Sequence, residues 1–176
     1  METKIKIDSF EYVISKLLSW YKEISKKDDL SSFTKLKLQK LLFLLSAVNA
    51  TEQDRYLLNI FDNFYAMRHG PVESDIYNAM VENKFPHISF MQRNMTLKQI
   101  DFEINISEVY KKMIDCAINQ LKEKNNQLVV YPASVLVDIT HKWKSWKDAM
   151  DIAITLGKGS EKIETLNICN DIKIFK

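Results

Sequence analysis

The sequence predicts a mainly α fold, a compact single-domain helical bundle of about six helices over residues 1–176, with short strands around 100–106 and at the C-terminus. Three observations carry this expectation. Apolar residues recur at helical spacing, most clearly as Phe10, Val13, Ile14, Leu17, Leu18, Tyr21 and Ile24. Only 3 glycines and 3 prolines punctuate 176 residues, too few for many tight hairpins. Hydrophobic residues at 46% and charged residues at 27% are ordinary globular usage, in a chain long enough to close a core without disulfides or metals.

Taken in order, Asp8 or Ser9 is placed to cap the first helix. Lys26-Lys27-Asp28-Asp29 with Ser31-Ser32 breaks the pattern, and Thr34 caps a second helix to about Val48. That helix is apolar all round after Lys40, which places it at the centre. Tyr56, Leu57, Leu58, Ile60, Phe61, Phe64 and Tyr65 fit neither period, so residues 54–67 read as buried, irregular or short strand. Pro71 suits a position at or just before a first helical turn, with Glu73 and Asp75 at its positive end. Ile76 and Met80, with Tyr77 beside them, form the buried stripe of this third helix, ending near Asn83. Ile100, Phe102, Ile104 and Ile106 alternate as a strand does. Val109, Met113, Ile114, Ala117, Ile118 and Leu121 restore helical spacing behind an Asn105 or Ser107 cap. Pro132 starts a fifth helix carrying Val135, Leu136 and Ile139, and Ser145-Trp146-Lys147-Asp148 reads as a capping box for a sixth. Leu166, Ile168, Ile172 and Ile174 alternate toward one or two closing strands.

Composition also narrows function. The longest apolar stretch, Leu41 to Val48, is interrupted by Ser46 and falls far short of the roughly 18–20 residues that cross a bilayer. Met1-Glu2-Thr3-Lys4-Ile5-Lys6 is no secretory signal, and two cysteines, Cys116 and Cys169, fit a reducing cytosol, so a cytoplasmic protein without membrane contact is expected. A net charge of +2 does not by itself imply nucleic acid. His69, His87 and His141 never pair at the i, i+4 spacing of a zinc site. Gly157-Lys158-Gly159-Ser160 lacks the earlier glycine of a phosphate loop and reads as a turn. Glu82-x-Lys84 and Asp171-x-Lys173 match only the tail of a nuclease motif, a triplet that chance supplies in any charged chain. No nucleophile elbow or activated cysteine is present. The expectation is therefore no metal, no cofactor and no enzymatic activity.

Three separated blocks are distinctive. Leu36, Leu38, Lys40, Leu41, Leu42 and Phe43 form the first, Ala66, Gly70, Pro71, Val72 and Tyr77 the second, and Thr140, His141 and Trp146 the third. In this order they resemble the Panacea domain family of SocA-like, phage-associated antitoxins, over roughly residues 14–146. Two departures are visible: Phe43 stands where tyrosine is usual and Ser145 where proline usually precedes the tryptophan. The last thirty residues carry no matching pattern.

The resemblance implies a helical antitoxin that neutralises a protein toxin encoded nearby, by direct binding or, in the SocA type, by delivery to a cytosolic protease. Leu38, Lys40, Leu41, His69, Gly70, Pro71, Val72, Tyr77, Thr140, His141 and Trp146 then serve mainly as structure. His69 and His141 sit beside a turn and a helix end, where an imidazole can satisfy backbone groups. Arg68 either pairs with Glu73 or Asp75 or faces a partner. Trp146 is expected in the core, while Trp143, among Lys142, Lys144 and Lys147, suits a core or an interface equally. The exposed contacts expected are Lys37, Arg68, Trp143 and Lys144. Lys35, Lys37 and Lys40 could instead line a basic groove, which motivates a second reading as a nucleic-acid-binding regulator of a phage or toxin–antitoxin locus. A third reading is a hydrolase using His69 or His141 as a general base with an acidic neighbour.

Overall fold

Seven α-helices and five short strands are described in the computed structural model, which covers residues 3–27, 29–91, 94–98 and 104–176. They run α1 (Thr3–Ser25), α2 (Lys35–Ala47), β1 (Phe64–Met67), β2 (Gly70–Glu73), α3 (Ser74–Val81), β3 (Ile88–Met91), β4 (Asn94–Leu97), α4 (Glu108–Lys124), α5 (Ala133–His141), α6 (Lys144–Thr155), β5 (Ser160–Lys162) and α7 (Thr165–Asn170). The mainly α expectation holds. No helix among the described residues is long and apolar enough to cross a membrane.

The centre is α2. Thr34 caps it through its hydroxyl, which accepts from the Lys37 amide at 3.2 Å, and every residue from Lys37 to Ala47 is buried. The Leu-rich run has no unfavourable helix former, and burial on all sides follows from its apolar circumference. Phe43 meets Phe64 of β1 and Trp143 edge-on, at centroid distances of 5.4 and 5.0 Å, so one side chain ties α2 to the sheet and to the start of α6. From the other side α1 contributes Phe10, Val13, Ile14, Leu17 and Trp20, all fully buried.

The main sheet has the order β2-β1-β5, antiparallel throughout, with Tyr65 opposite Val72 and Lys162. Beyond β2 lies α2 in place of a fourth strand. Gln39 accepts the Glu73 amide at 2.8 Å and donates to the Glu73 carbonyl at 3.4 Å, so one side chain answers both backbone groups of an edge residue. β3 and β4 form a separate antiparallel hairpin.

Several elements depart from the sequence expectations. α1 starts at Thr3, so Asp8 and Ser9 lie inside it rather than at its cap. Pro71 lies in β2, and Glu73 caps α3, its carboxylate accepting from the Ile76 amide at 2.8 Å. Tyr77 is 39% exposed and Val109 65% exposed, outside the stripes assigned to them. Residues 99–103 of the strand expected around 100–106 lie outside the described residues, and 104–106 carry no regular structure. The tail forms α7 where alternation suggested a strand, because Ile168 and Cys169, adjacent in sequence, are both buried, as one helix flank allows and a strand does not. The Gly157 turn is a helix stop: Gly157 has φ +65°, its amide donates to the Ile154 carbonyl, and Lys158 donates to the Ala153 carbonyl at 2.8 Å.

Candidate functional site

The three sequence blocks meet at Gly70. Its φ of +91° is a conformation side chains rarely adopt, and a Cβ there would lie 2.6 Å from the Thr140 hydroxyl and 3.1 Å from the Lys40 ammonium. α2 and α5 therefore close on the β1–β2 turn from two sides. Lys40, fully buried, donates to the Pro71 carbonyl at 2.6 Å, and the Thr140 hydroxyl donates to the Val137 carbonyl at 3.0 Å. Leu38, Leu41 and Val72 are buried around this point.

Burial without a described carboxylate partner lowers the Lys40 ammonium from 10.5 to about 7. The native state then binds fewer protons than the unfolded chain between those two values. Stability should rise with pH from about 7 toward 10 and be lowest where the buried ammonium stays charged. Urea unfolding of Lys40→Met across this range should show a shallower rise than the parent. An identical slope would mean that Lys40 is not the group responsible. Lys37, lowered to about 8 by burial, and Lys173, also lowered by burial, contribute to the slope that remains.

Beside this core the turn emerges at the surface. Arg68 and His69 are exposed at its tip. Under it, the Trp146 indole donates to the Met67 carbonyl at 3.1 Å and stacks on His141, with centroids 3.9 Å apart and planes at 12°. Trp146 is half-buried rather than a core residue. The His141 imidazole is lowered by burial and then by the Lys40 charge, and its buried Nε2 has no hydrogen-bond partner.

Other expected contacts are placed differently. Lys37 is 2% exposed and lies over the Tyr21 and Phe33 rings at 5.4 and 5.1 Å, where the aromatic faces make an ammonium tolerable. Trp143 is fully buried, its indole donating to the Ile174 carbonyl at 2.9 Å. Neither is an exposed contact, and with Lys37 and Lys40 turned inward the expected basic groove is not formed. Lys144 is exposed but pairs with Asp148. Ser145 is not the cap of α6. It sits in the first turn, and its amide donates to the Asp171 carboxylate at 2.6 Å, a bond that proline at this position would lack. Lys173 donates to the Ile168 and Cys169 carbonyls, and Lys84 pairs with Glu82, so both nuclease-like triplets have structural roles.

Arg68 does not pair with Glu73 or Asp75, because Lys6 holds both. The Lys6 ammonium, 2% exposed, donates to Asp62 at 2.6 Å, Glu73 at 2.8 Å and Asp75 at 2.5 Å. Three carboxylates that could otherwise hold a metal ion thus surround the chain's own cation. Burial alone would lower Lys6, but the three hydrogen bonds outweigh it and raise its pKa. Burial raises Glu73, against the Lys6 and Ile76 hydrogen bonds. The sequence expectations missed this anchor, and Gln39 with it. The signal was present: Lys6 lies four residues before Phe10 and seven before Val13, on the apolar stripe.

No described hydrogen bond brings a carboxylate or hydroxyl to His69 or His141. The imidazole–carboxylate contact described is His87 Nδ1 with buried Glu11, at 2.7 Å. Three clefts of about 240, 300 and 350 Å³ are lined without histidine. The arrangement is a packed support for an exposed turn, and among the described residues no carboxylate or hydroxyl is hydrogen-bonded to either candidate imidazole.

Residues 38–147 match the model of the antitoxin SocA-like, Panacea domain family. The chain belongs to that family. The match takes in all the convergent residues at Gly70, so this Panacea domain is built around the point where its motif segments touch. It leaves out α1, which supplies Lys6, and most of α6 with β5 and α7. No curated protein and no solved structure matches the chain.

Proposed function

We propose that this Panacea protein is an antitoxin-type binder that neutralises a toxin encoded nearby, by direct binding or by delivering the toxin to a cytosolic protease. The observation behind this reading is the division of labour in the second motif block. Gly70 and Pro71 are buried and clamped by Lys40 and Thr140, while Arg68 and His69, one step away, face solvent. A rigid core that presents an exposed, charged tip suits recognition, where ordering costs are met before binding. Nucleic-acid binding is the weaker reading, since two of the lysines that motivated it are buried.

Co-expression with the product of the neighbouring open reading frame is expected to restore growth and to yield a complex that co-purifies. Rescue with an intact complex indicates blocking, and rescue with loss of the toxin polypeptide indicates protease delivery. Neither rescue nor complex would refute the reading.

A further inference from the structure

We infer that the β1–β2 turn and the adjoining first turn of α6 form the docking surface, and that its occupant is an acidic segment of the partner protein. This rests on the antitoxin reading and adds where binding occurs and with what chemistry. Arg68 is exposed, and no carboxylate pairs with it among the described residues. Lys147 is likewise exposed without a described carboxylate partner, while neighbouring Lys144 is neutralised by Asp148 and Lys142 donates to the Lys176 carbonyl at 3.1 Å. Arg68 and Lys147 are therefore the cations of this corner without a described carboxylate partner.

Next to them lies an aromatic pair, Trp146 and His141. Trp146 precedes Lys147 on α6 and holds the base of the turn through the Met67 carbonyl, with His141 stacked against it. Tryptophan and arginine are the residues that most often dominate protein interfaces, and both stand at this corner. A guanidinium presents a planar fork that takes a carboxylate through two parallel hydrogen bonds. The base of the turn is held by the Lys40 hydrogen bond to Pro71 and packs closely against Thr140.

The occupant is a protein rather than a nucleic acid for an electrostatic reason. Phosphate backbones are bound by rows of cations that displace many counterions. Here the cations without a described carboxylate partner are two, Arg68 and Lys147, too few for such a row. A short acidic stretch needs only two positions.

The test uses the full chain and the purified product of the neighbouring open reading frame. Arg68→Glu and Lys147→Glu should each weaken the complex by about ten-fold or more and flatten its salt dependence between about 0.05 and 0.3 M. Lys124→Glu, an exposed reversal on α4, should leave affinity unchanged, and circular dichroism should show all three variants folded. Unchanged binding by both reversals, with the parent complex formed, overturns this inference and leaves the antitoxin reading standing. An equal loss for Lys124→Glu also overturns it, since the effect would then be general charge. If the parent instead binds duplex DNA from its own locus and the two reversals abolish that, the site is a phosphate site and the inference fails. A parent chain that forms no complex overturns this surface, and one that also gives no growth rescue removes the antitoxin reading with it.

Discussion

Gly70→Ala is expected to destabilise the protein by about 2–5 kcal/mol, the sum of a left-handed backbone penalty of about 1–2 and an overpacking cost of about 1–3. The backbone part follows from φ +91°. The packing part follows from a methyl group placed 2.6 Å from the Thr140 hydroxyl, far inside contact distance, with the Lys40 side chain at 3.1 Å. Lys40 cannot retreat freely, because its ammonium is committed to the Pro71 carbonyl. Thr140→Ala removes the closest atom, so Gly70→Ala/Thr140→Ala should regain part of the loss while the backbone penalty stays. Urea unfolding of the single and double variants measures both parts. A single variant within about 0.5 kcal/mol of the parent would mean that α5 is not seated on the turn as described.

The same geometry explains which parts of the molecule could be read without coordinates. α2 was legible because its cap and its apolar run are local signals, and Thr34 does cap it. Of the strands around Gly70, β1 was legible only as buried, irregular or short strand and β2 was not, because they are four residues each and their edge is covered by a helix that supplies Gln39 as a substitute strand. Pro71 looked like a helix start for the reason it can also sit at a strand end: it lacks an N–H, and the only group it offers, its carbonyl, goes to Lys40. At the candidate site, Arg68 and Lys144 are exposed as expected, but Lys37 and Trp143 are not. A lysine at a helix start normally means solvent, and only tertiary contact with Tyr21 and Phe33 draws Lys37 inward. The seventh helix escaped notice because four apolar residues over a short tail fit a strand or one flank of a helix equally well.

Lys6→Met is expected to cost about 3–5 kcal/mol at neutral pH, the range for removing one partner of a buried ion pair. Methionine keeps the volume, so the loss comes from charge. Asp62 and Asp75, 45% and 36% exposed, can turn to water, but Glu73, fully buried, would be left ionised beside them without its cation. Its carboxyl is already raised above 4.5 by burial with Lys6 present, and losing the ammonium removes a hydrogen bond that holds it down. A carboxyl whose folded pKa exceeds its unfolded value binds more protons in the native state, so stability falls as pH rises between the two values. The variant should therefore recover stability as pH falls toward 4.5, by more than the parent, in which the Lys6 hydrogen bond holds the Glu73 carboxyl down. Lys6→Met/Glu73→Gln removes the buried charge and keeps an acceptor for the Ile76 amide, so it should be more stable than Lys6→Met at neutral pH. Thermal unfolding of the three proteins at pH 5 and at pH 7.5 decides the matter. If Lys6→Met were least stable at the lower pH, Glu73 would not be the carboxylate that depends on Lys6. The N-terminal helix, which the family match leaves out, would then owe its place to its other contacts, the packing of Phe10, Val13, Ile14, Leu17 and Trp20 and the Glu11–His87 contact.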